Sequence, residues 1–489
     1  MQHARVRGAV PPPVLVQGED VRIWEHKIYL AHPVLADSGG PITRFRSWAE
    51  QFYAASFSSD LLEGSPRSDL EADGGLMDVD LTDAGMLLRP DVLNDPGSFH
   101  DRLRSDAPVW QIPGQDTFLV SDPALIRDAV GRPEDFSSNL VSLLHDDGAR
   151  CPVAYGMAPF GDPVHVLPTA DPPLHTRHRK LLQAHLSPSA VAALEPAICR
   201  IVDDHLTTVI DSRPVEFVVA FSDPVPAHTI CELIGLPPDD VPMIIDVVGR
   251  TGALLDGVTE VAGMPPAMHA AIDLTTYVND KLQETLARPK SERLGLLAMF
   301  AESIEMSIVE VGEVRDMLVV LVSAGSETTA SLLATAVETL ARDGGLQERL
   351  RTDPTLIPDA IEEMLRSNGP FQFHYRHATA DTTLGGTRIP AGSRVLLMWA
   401  AANRRAPDAS PIVPGPGGDT RRTAPHYAFG RGLHFCIGAP VARLEARIAL
   451  ERLLAATSSI ELDPAHPPTR RPSIFIRRHA TLPVVLRPA

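Results

Sequence analysis

The chain has 489 residues, 44% hydrophobic and 22% charged, and its 44 Lys and Arg against 62 Asp and Glu give a formal charge of −18. That balance describes a globular protein with a large core, and the acidic excess argues against nucleic acid as a general partner. The four cysteines, Cys151, Cys199, Cys231 and Cys436, are too scattered for a disulfide framework and read as reduced thiols.

Residues 1–80 read as an N-terminal extension. They contain one helix-like piece, "RFRSWAEQFYAASF", and a linker-like Gly/Pro/Asp/Ser stretch from Gly64 to Gly75. The start, "MQHARVRGAVPPPVLVQGED", lacks the apolar stretch of a secretory signal. No run of about 18 apolar residues follows, so no membrane span is expected and the location is read as cytoplasmic. Residues 81–489 form a single unit that is mainly α with a minor β-sheet. Helices are expected from about Pro172, Pro188, Asp223, Leu274, Ile308, Pro358 and Pro440. Strands are expected at "TFLVSD" from Thr117, at "RVLLMWAA" from Arg394 and in the closing "SIFIRRHATLPVVL".

Along the first of these helices, "DPPLHTRHRKL" from Asp171 places His175 and Arg179 four apart, on one face. A solvated basic face would look the same. Further on, Ser307 and Glu310 have the spacing of a capping box, and the apolar pattern then runs to Ala341 before "DGG" stops it. Such a helix is about 50 Å long and crosses the whole domain. Near its middle sits "AGSETT", Ala324 to Thr329, a poor choice for a buried helix centre. Either the hydroxyls bond back to the preceding turn, or Gly325 leaves space for a small diatomic or a water while Glu327 and Thr328 handle protons.

Glu363 and Arg366 are neighbours at i,i+3, followed by "HYRHA" around Arg376. The loop "FGRGLHFCIG", Phe429 to Gly438, sets Cys436 among Gly430, Gly432 and Gly438, which let backbone N–H groups turn towards the sulfur. A helix starts just after it, with Pro440 in its first turn. Such donors favour thiolate over thiol, and Phe429 and Phe435 flank a soft metal ligand. His426, His434 and Cys436 offer a zinc alternative, but without a second Cys/His pair at finger spacing. A haem iron needs one protein ligand only.

The cysteine loop resembles the haem-binding signature F-G-x-G-x-H-x-C-x-G of the cytochrome P450 family at every fixed position. "DPPLHTRHRKL", "AGSETT" and Glu363-Met364-Leu365-Arg366 resemble three further motifs of that family in the same order, and the resemblance extends over about residues 90–485. It is closest to the soluble actinobacterial type. It implies the cytochrome P450 fold, with heme b lying between the long central helix and the cysteine loop. Cys436 would be the axial thiolate, and Phe429, Gly430 and Gly438 would shape its loop. His175, Arg179, Arg376 and His434 would bind the haem propionates. Ala324, Gly325, Glu327 and Thr328 would serve oxygen and its protons. Glu363 and Arg366 would form a buried structural pair. One segment departs from the family: "AANRRAPDASPIVPGPGGDTRRTAPHYAFG" lacks the usual phenylalanine–aspartate–arginine run and carries a Pro/Gly insert.

The implied activity is insertion of one oxygen atom from O2 into a hydrophobic organic substrate. With no flavin or iron–sulfur motif in the chain, electrons are expected from NAD(P)H through a ferredoxin reductase and a ferredoxin. That ferredoxin would dock on a patch of Arg177, Lys180, Arg421, Arg422, Arg431 and Arg443. Substrate would be walled by the loop before Asp171, by Val320–Ala324, Phe371–Phe373 and Ile474–Ile476. Two other readings are a peroxide-driven haem enzyme, against which Glu327 and Thr328 argue, and a non-catalytic relative that binds and stabilises a partner enzyme, against which Cys436 argues.

Overall fold

The computed structural model describes residues 79–156, 165–210, 212–404 and 425–489. Nearly all of the extension read over 1–80, and the insert that includes Arg421 and Arg422, lie outside the described residues. Five helices position the site: α1 (Leu174–Gln183), α2 (Pro224–Ile234), α3 (Val311–Arg342), α4 (Ile357–Asn368) and α5 (Ala439–Ala456).

The 32-residue α3 is the spine. Its first half, through Val314, Met317, Leu318 and Val322, is buried against Ile230 and Ile234 of α2 together with Leu274 and Phe300. Its second half, through Leu332, Leu333, Val337 and Leu340, meets Met364 and Leu365 of α4 and Leu450 and Leu453 of α5. One helix thus joins two cores. It is also the one described helix long and apolar enough to cross a membrane, but 61% of its most apolar window is buried in the fold, as befits a core helix.

The capping box falls three residues later than the sequence suggests. Ser307 has φ +56 and closes the preceding turn. Glu310 is the N-cap, and its N–H donates to Glu313 Oε2 at 3.0 Å. An acid at N3 meets the same need as the expected one, an unsatisfied first-turn donor.

The minor sheet has five strands, β1 (Val109–Gln111), β2 (Thr117–Val120), β3 (Phe136–Ser137), β4 (His374–Ala378) and β5 (Arg394–Leu397), in the order β1-β2-β5-β4-β3. Strand β5 stops short of the expected "RVLLMWAA": Trp399–Asn403 is a short helix instead. The Ala-rich "WAAAN" has high helix propensity, and Trp399 Nε1 donates to His374 Nδ1 at 2.7 Å, pinning the turn to β4. The closing stretch is likewise not continuous strand. Ser473 Oγ accepts from the N–H groups of Phe475 and Ile476, bending 473–478, and pairing resumes at His479–Thr481 and Pro483–Pro488. The last of these strands pairs with Thr457–Leu462 and Pro214–Glu216 in a separate three-stranded sheet.

Two glycines stand back to back where α2 ends and the helix Gly295–Glu305 begins. Gly235 has φ +91, and a Cβ on it would lie 2.5 Å from the Leu294 carbonyl oxygen; Gly295 has φ +56, and its Cβ would lie 2.5 Å from the Ile234 carbonyl carbon. Both obstacles are backbone. Gly235→Ala is therefore expected to cost about 2–4 kcal/mol in denaturant unfolding, combining left-handed strain with overpacking. Gly386→Ala, at φ +82 but in open space, should cost only the first part, about 1–2 kcal/mol.

Candidate active site

Gly430 and Gly432, at φ +68 and +74, allow the cysteine loop its two tight turns. The Gly430 N–H donates to the Tyr427 carbonyl at 2.8 Å, and the Cys436 N–H donates to the Phe429 carbonyl at 2.9 Å, closing the loop. The sulfur faces the N–H groups of Gly438 and Ala439 at the start of α5, with the Arg179 and Arg443 guanidiniums nearby. Burial pushes the thiol up, and those two N–H groups and two cations oppose it. The donors are those a thiolate needs.

Beneath the loop runs a rigid support. Glu363 and Arg366 are a buried pair, Arg366 Nε donating to Glu363 Oε2 at 2.8 Å, while Arg366 Nη1 donates to the Asn403 carbonyl at 2.6 Å. Asn403 Oδ1 in turn accepts the Tyr427 N–H at 2.6 Å, and the Tyr427 ring stacks on Trp399 at 6.3 Å. A second clamp is centred on Glu362, which accepts from Arg443 at 2.6 and 2.9 Å and pairs with His426 at 3.0 Å; the Arg443 guanidinium lies 4.4 Å over the Phe429 ring. Glu362, Asn403 and Tyr427 were not singled out from the sequence. Asn403 and Tyr427 tie the loop to α4 across the segment where the chain departs from the family pattern. His426 is thus committed to Glu362 and His434 to Ser138 Oγ, at 2.9 Å. Among the described residues no three His, Cys, Asp or Glu side chains group to hold a bare metal ion. The zinc reading loses its ligands.

The basic residues converge on the other side of the loop. His175, on α1, is buried with Nδ1 unpartnered, and its ring lies 4.2 Å from that of His434. Arg179 Nη1 donates to the Phe435 carbonyl at 2.7 Å. Arg376, on β4, is buried and lowered to about 10, burial being the main cause. His434 is lowered to about 3, by burial first and then by Arg376, His175, His374 and Arg179. The Arg376 and Arg179 guanidiniums repel positive charge on the His434 ring, with Asp171 the one carboxylate acting on Arg376 and His175. A dianionic group would relieve that repulsion through charge-assisted hydrogen bonds. Haem, with two propionates, fits this donor set, and Cys436 fits its iron.

On α3, Ala324 is exposed and Thr328 half-buried, with Thr328 Oγ1 donating back to the Ala324 carbonyl at 2.8 Å. Gly325 serves packing. A Cβ there would lie 2.7 Å from Ile230 Cδ1 of α2, so the missing side chain admits the neighbouring helix. Glu327 does not run freely to solvent either. Its Oε1 accepts from Arg478 Nη1 at 3.2 Å, and Arg478 Nη2 donates to Asp223 Oδ2 at 2.5 Å, in a triad whose side chains are all 14% exposed or less.

Of the expected substrate walls, Phe371, Phe373, Ile474 and Ile476 meet in one apolar cluster with Leu143, Leu144, Leu255 and Val258. Val320 and Leu321 pack instead with the core beside α2, and residues 157–164 of the loop before Asp171 lie outside the described residues. Of the expected docking patch, Lys180 and Arg431 are exposed, Arg177 pairs with Glu313 and Arg443 with Glu362, and Arg421 and Arg422 lie outside the described residues.

Cytochrome P450 144 of Mycobacterium tuberculosis is 36% identical to the chain over 397 residues, which is 81% of the chain and 90% of that relative. The chain belongs to the cytochrome P450 family. The family model described as Cytochrome P450 matches residues 264–477 of this P450. Cytochrome P450 109 of Bacillus spizizenii is 31% identical over 376 residues, 75% of the chain and 85% of the relative. The crystal structure of CYP109E1 from Bacillus megaterium in complex with testosterone superposes with a TM-score of 0.70 at 26% identity, covering 81% of this chain and 99% of that one. Outside the described residues, positions 15–53 match the model of the 3-ketosteroid 9alpha-hydroxylase C-terminal domain. As a P450 the chain is a haem protein and a monooxygenase.

Glu445, on the same stripe of α5 as Val441 and Ile448, was also missed. It is 2% exposed, with Oε1 unpartnered, and burial raises it to about 8 against the opposing Thr229 hydrogen bond. The native protein therefore keeps a proton that the unfolded chain releases above its ordinary carboxylate value, and stability falls as pH rises from about 4.5 to about 8. Glu445→Gln should remove a slope of up to about 1.4 kcal/mol per pH unit. Unfolding free energies at pH 5 and 8 should differ less in the variant than in the parent protein.

Proposed function

We propose that this P450 inserts one oxygen atom from O2 into a hydrophobic substrate, with electrons passed from NAD(P)H through a ferredoxin reductase and a ferredoxin. The observation that carries the reading is the pairing of a thiolate-stabilising loop at Cys436 with the basic side chains of His175, Arg179, Arg376 and His434 beside it. Bound haem supplies the reductive activation of dioxygen. Cys436 would hold the iron as a thiolate, its charge balanced by the Gly438 and Ala439 N–H groups. Arg376, His175, Arg179 and His434 would hold the propionates.

On α3, Thr328 would exchange its bond to the Ala324 carbonyl for one to a water. Glu327 delivers protons to that hydroxyl, for which its carboxylate has to turn away from Arg478. Proton donors within about 3 Å of the acceptor are the geometric requirement. Lys180 and Arg431 mark the face for an acidic ferredoxin. Residues 81–489 act as the haem domain with 1–80 as a separate extension, in the cytoplasm. Steroids are the first substrate class to test, on two observations. Residues 15–53 match part of a 3-ketosteroid hydroxylase, and one fold neighbour was solved with testosterone.

Cys436→Ser should abolish the red-shifted Soret band of the reduced carbon monoxide adduct; a retained band would place the thiolate elsewhere. Thr328→Ala should keep haem and substrate affinity while product per NAD(P)H falls several-fold and hydrogen peroxide rises, proton delivery being worth about 10²–10⁴ in rate. Unchanged coupling would remove Thr328 from the relay.

A further inference from the structure

A small cavity of about 20 Å³ lies away from the cysteine loop, among Pro96, Phe99, His100, Gln372, Arg470 and Arg477. That volume holds one or two water-sized groups. Arg477 is anchored by its backbone, its N–H donating to the Pro370 carbonyl at 2.8 Å and its carbonyl accepting from Ser331 Oγ of α3 at 2.5 Å. Its side chain makes no hydrogen bond or ion pair among the described residues, and its Nε is buried without a partner. Arg470 spends Nη2 on Glu338, at 2.6 Å, but its Nη1 is also buried and unpartnered.

The carboxylates in reach do not balance this charge. Glu338 is shared among Arg342, Arg470 and His479. Asp95 is exposed, its Oδ1 accepting the Gly97 N–H at 3.0 Å. Burial, and then Arg470, lower Arg477 to about 10, while burial, Arg404 and Arg477 lower His100 to about 3, leaving the imidazole neutral with an N–H to offer. Guanidinium nitrogens buried without an acceptor are costly unless something fills the role.

We propose that this cavity is an anion site, taking a carboxylate- or halide-sized anion on the unpartnered nitrogens of Arg470 and Arg477. The anion is either a free solute or the carboxylate end of an amphipathic ligand. The second source has a structural basis, because the cavity borders Ile474, which belongs to the same apolar cluster as Phe371 and Phe373. A ligand with an apolar body and an acidic tail would meet both surfaces.

The test uses the haem-loaded full chain. Crystals soaked in sodium bromide should show an anomalous peak within hydrogen-bonding reach of Arg477 Nε and Arg470 Nη1. Acetate should raise the unfolding midpoint of the parent protein, with affinity roughly tenfold weaker in Arg477→Gln. Arg477→Lys, which keeps the charge but lacks Nε, serves the same comparison if the Gln variant does not fold. A long-chain carboxylic acid and its methyl ester separate the two sources. An acid that shifts the haem spin state where its ester does not, with acetate competing, assigns the site to a ligand tail; equal binding of acid and ester, with bromide still in the cavity, assigns it to a free anion. Water alone in the cavity, with acetate stabilising the parent and both variants equally, overturns the proposal.

Discussion

A sulfur that carries negative charge inside a protein, as proposed for Cys436, is the demand that the surrounding residues fit. Ionising a buried thiol costs several kcal/mol unless dipoles and cations surround it. Two backbone N–H groups at the head of α5, with Arg179 and Arg443, meet part of that demand. The rest of the neighbourhood keeps them in place. Arg443 is fixed by Glu362 and the Phe429 ring, and Arg179 by the Phe435 carbonyl. Asn403 and Tyr427 transmit the position of α4 to the loop. Each of these residues is tied by a hydrogen bond or a ring contact to the loop that carries the sulfur or to its support.

The same logic explains why charge is so unevenly distributed in an acidic protein. Basic side chains without matching carboxylates gather beside the cysteine loop, whereas Glu338 and Glu362 each serve as hubs for two or more basic side chains and lie at about 2. The hubs are structural, since their charge is balanced internally. The unbalanced clusters are where a ligand's charge belongs. Arg478 is intermediate: it satisfies Glu327 and Asp223 together, and so ties the closing segment of the chain to the middle of α3.

Much of this was legible in the order of residues, because local patterns carry it. The Gly-rich loop, the four-residue spacing of His175 and Arg179, and the long apolar periodicity of α3 each report one element and its face. The reason for Gly325 was not legible, because Ile230 is 95 positions away in the chain and only packing brings it there. The tie between Glu327 and Arg478 escaped for the same cause, spanning 151 positions. The shift of the α3 cap from Ser307 to Glu310 was a contest between two adequate caps, decided by the left-handed turn at Ser307. Pairs distant in sequence decide function here, and single-chain pattern reading does not see pairs.

The stack of Tyr427 on Trp399, with ring planes 11° apart, lies directly under the cysteine loop, and Trp399 is bonded to His374 on the sheet. That stack ties the indole to the residue whose carbonyl accepts the Gly430 N–H, one step from the loop. A porphyrin bound at the loop would accept excitation from that indole, so loss of pigment would raise its emission, an optical gauge of occupancy that needs no label.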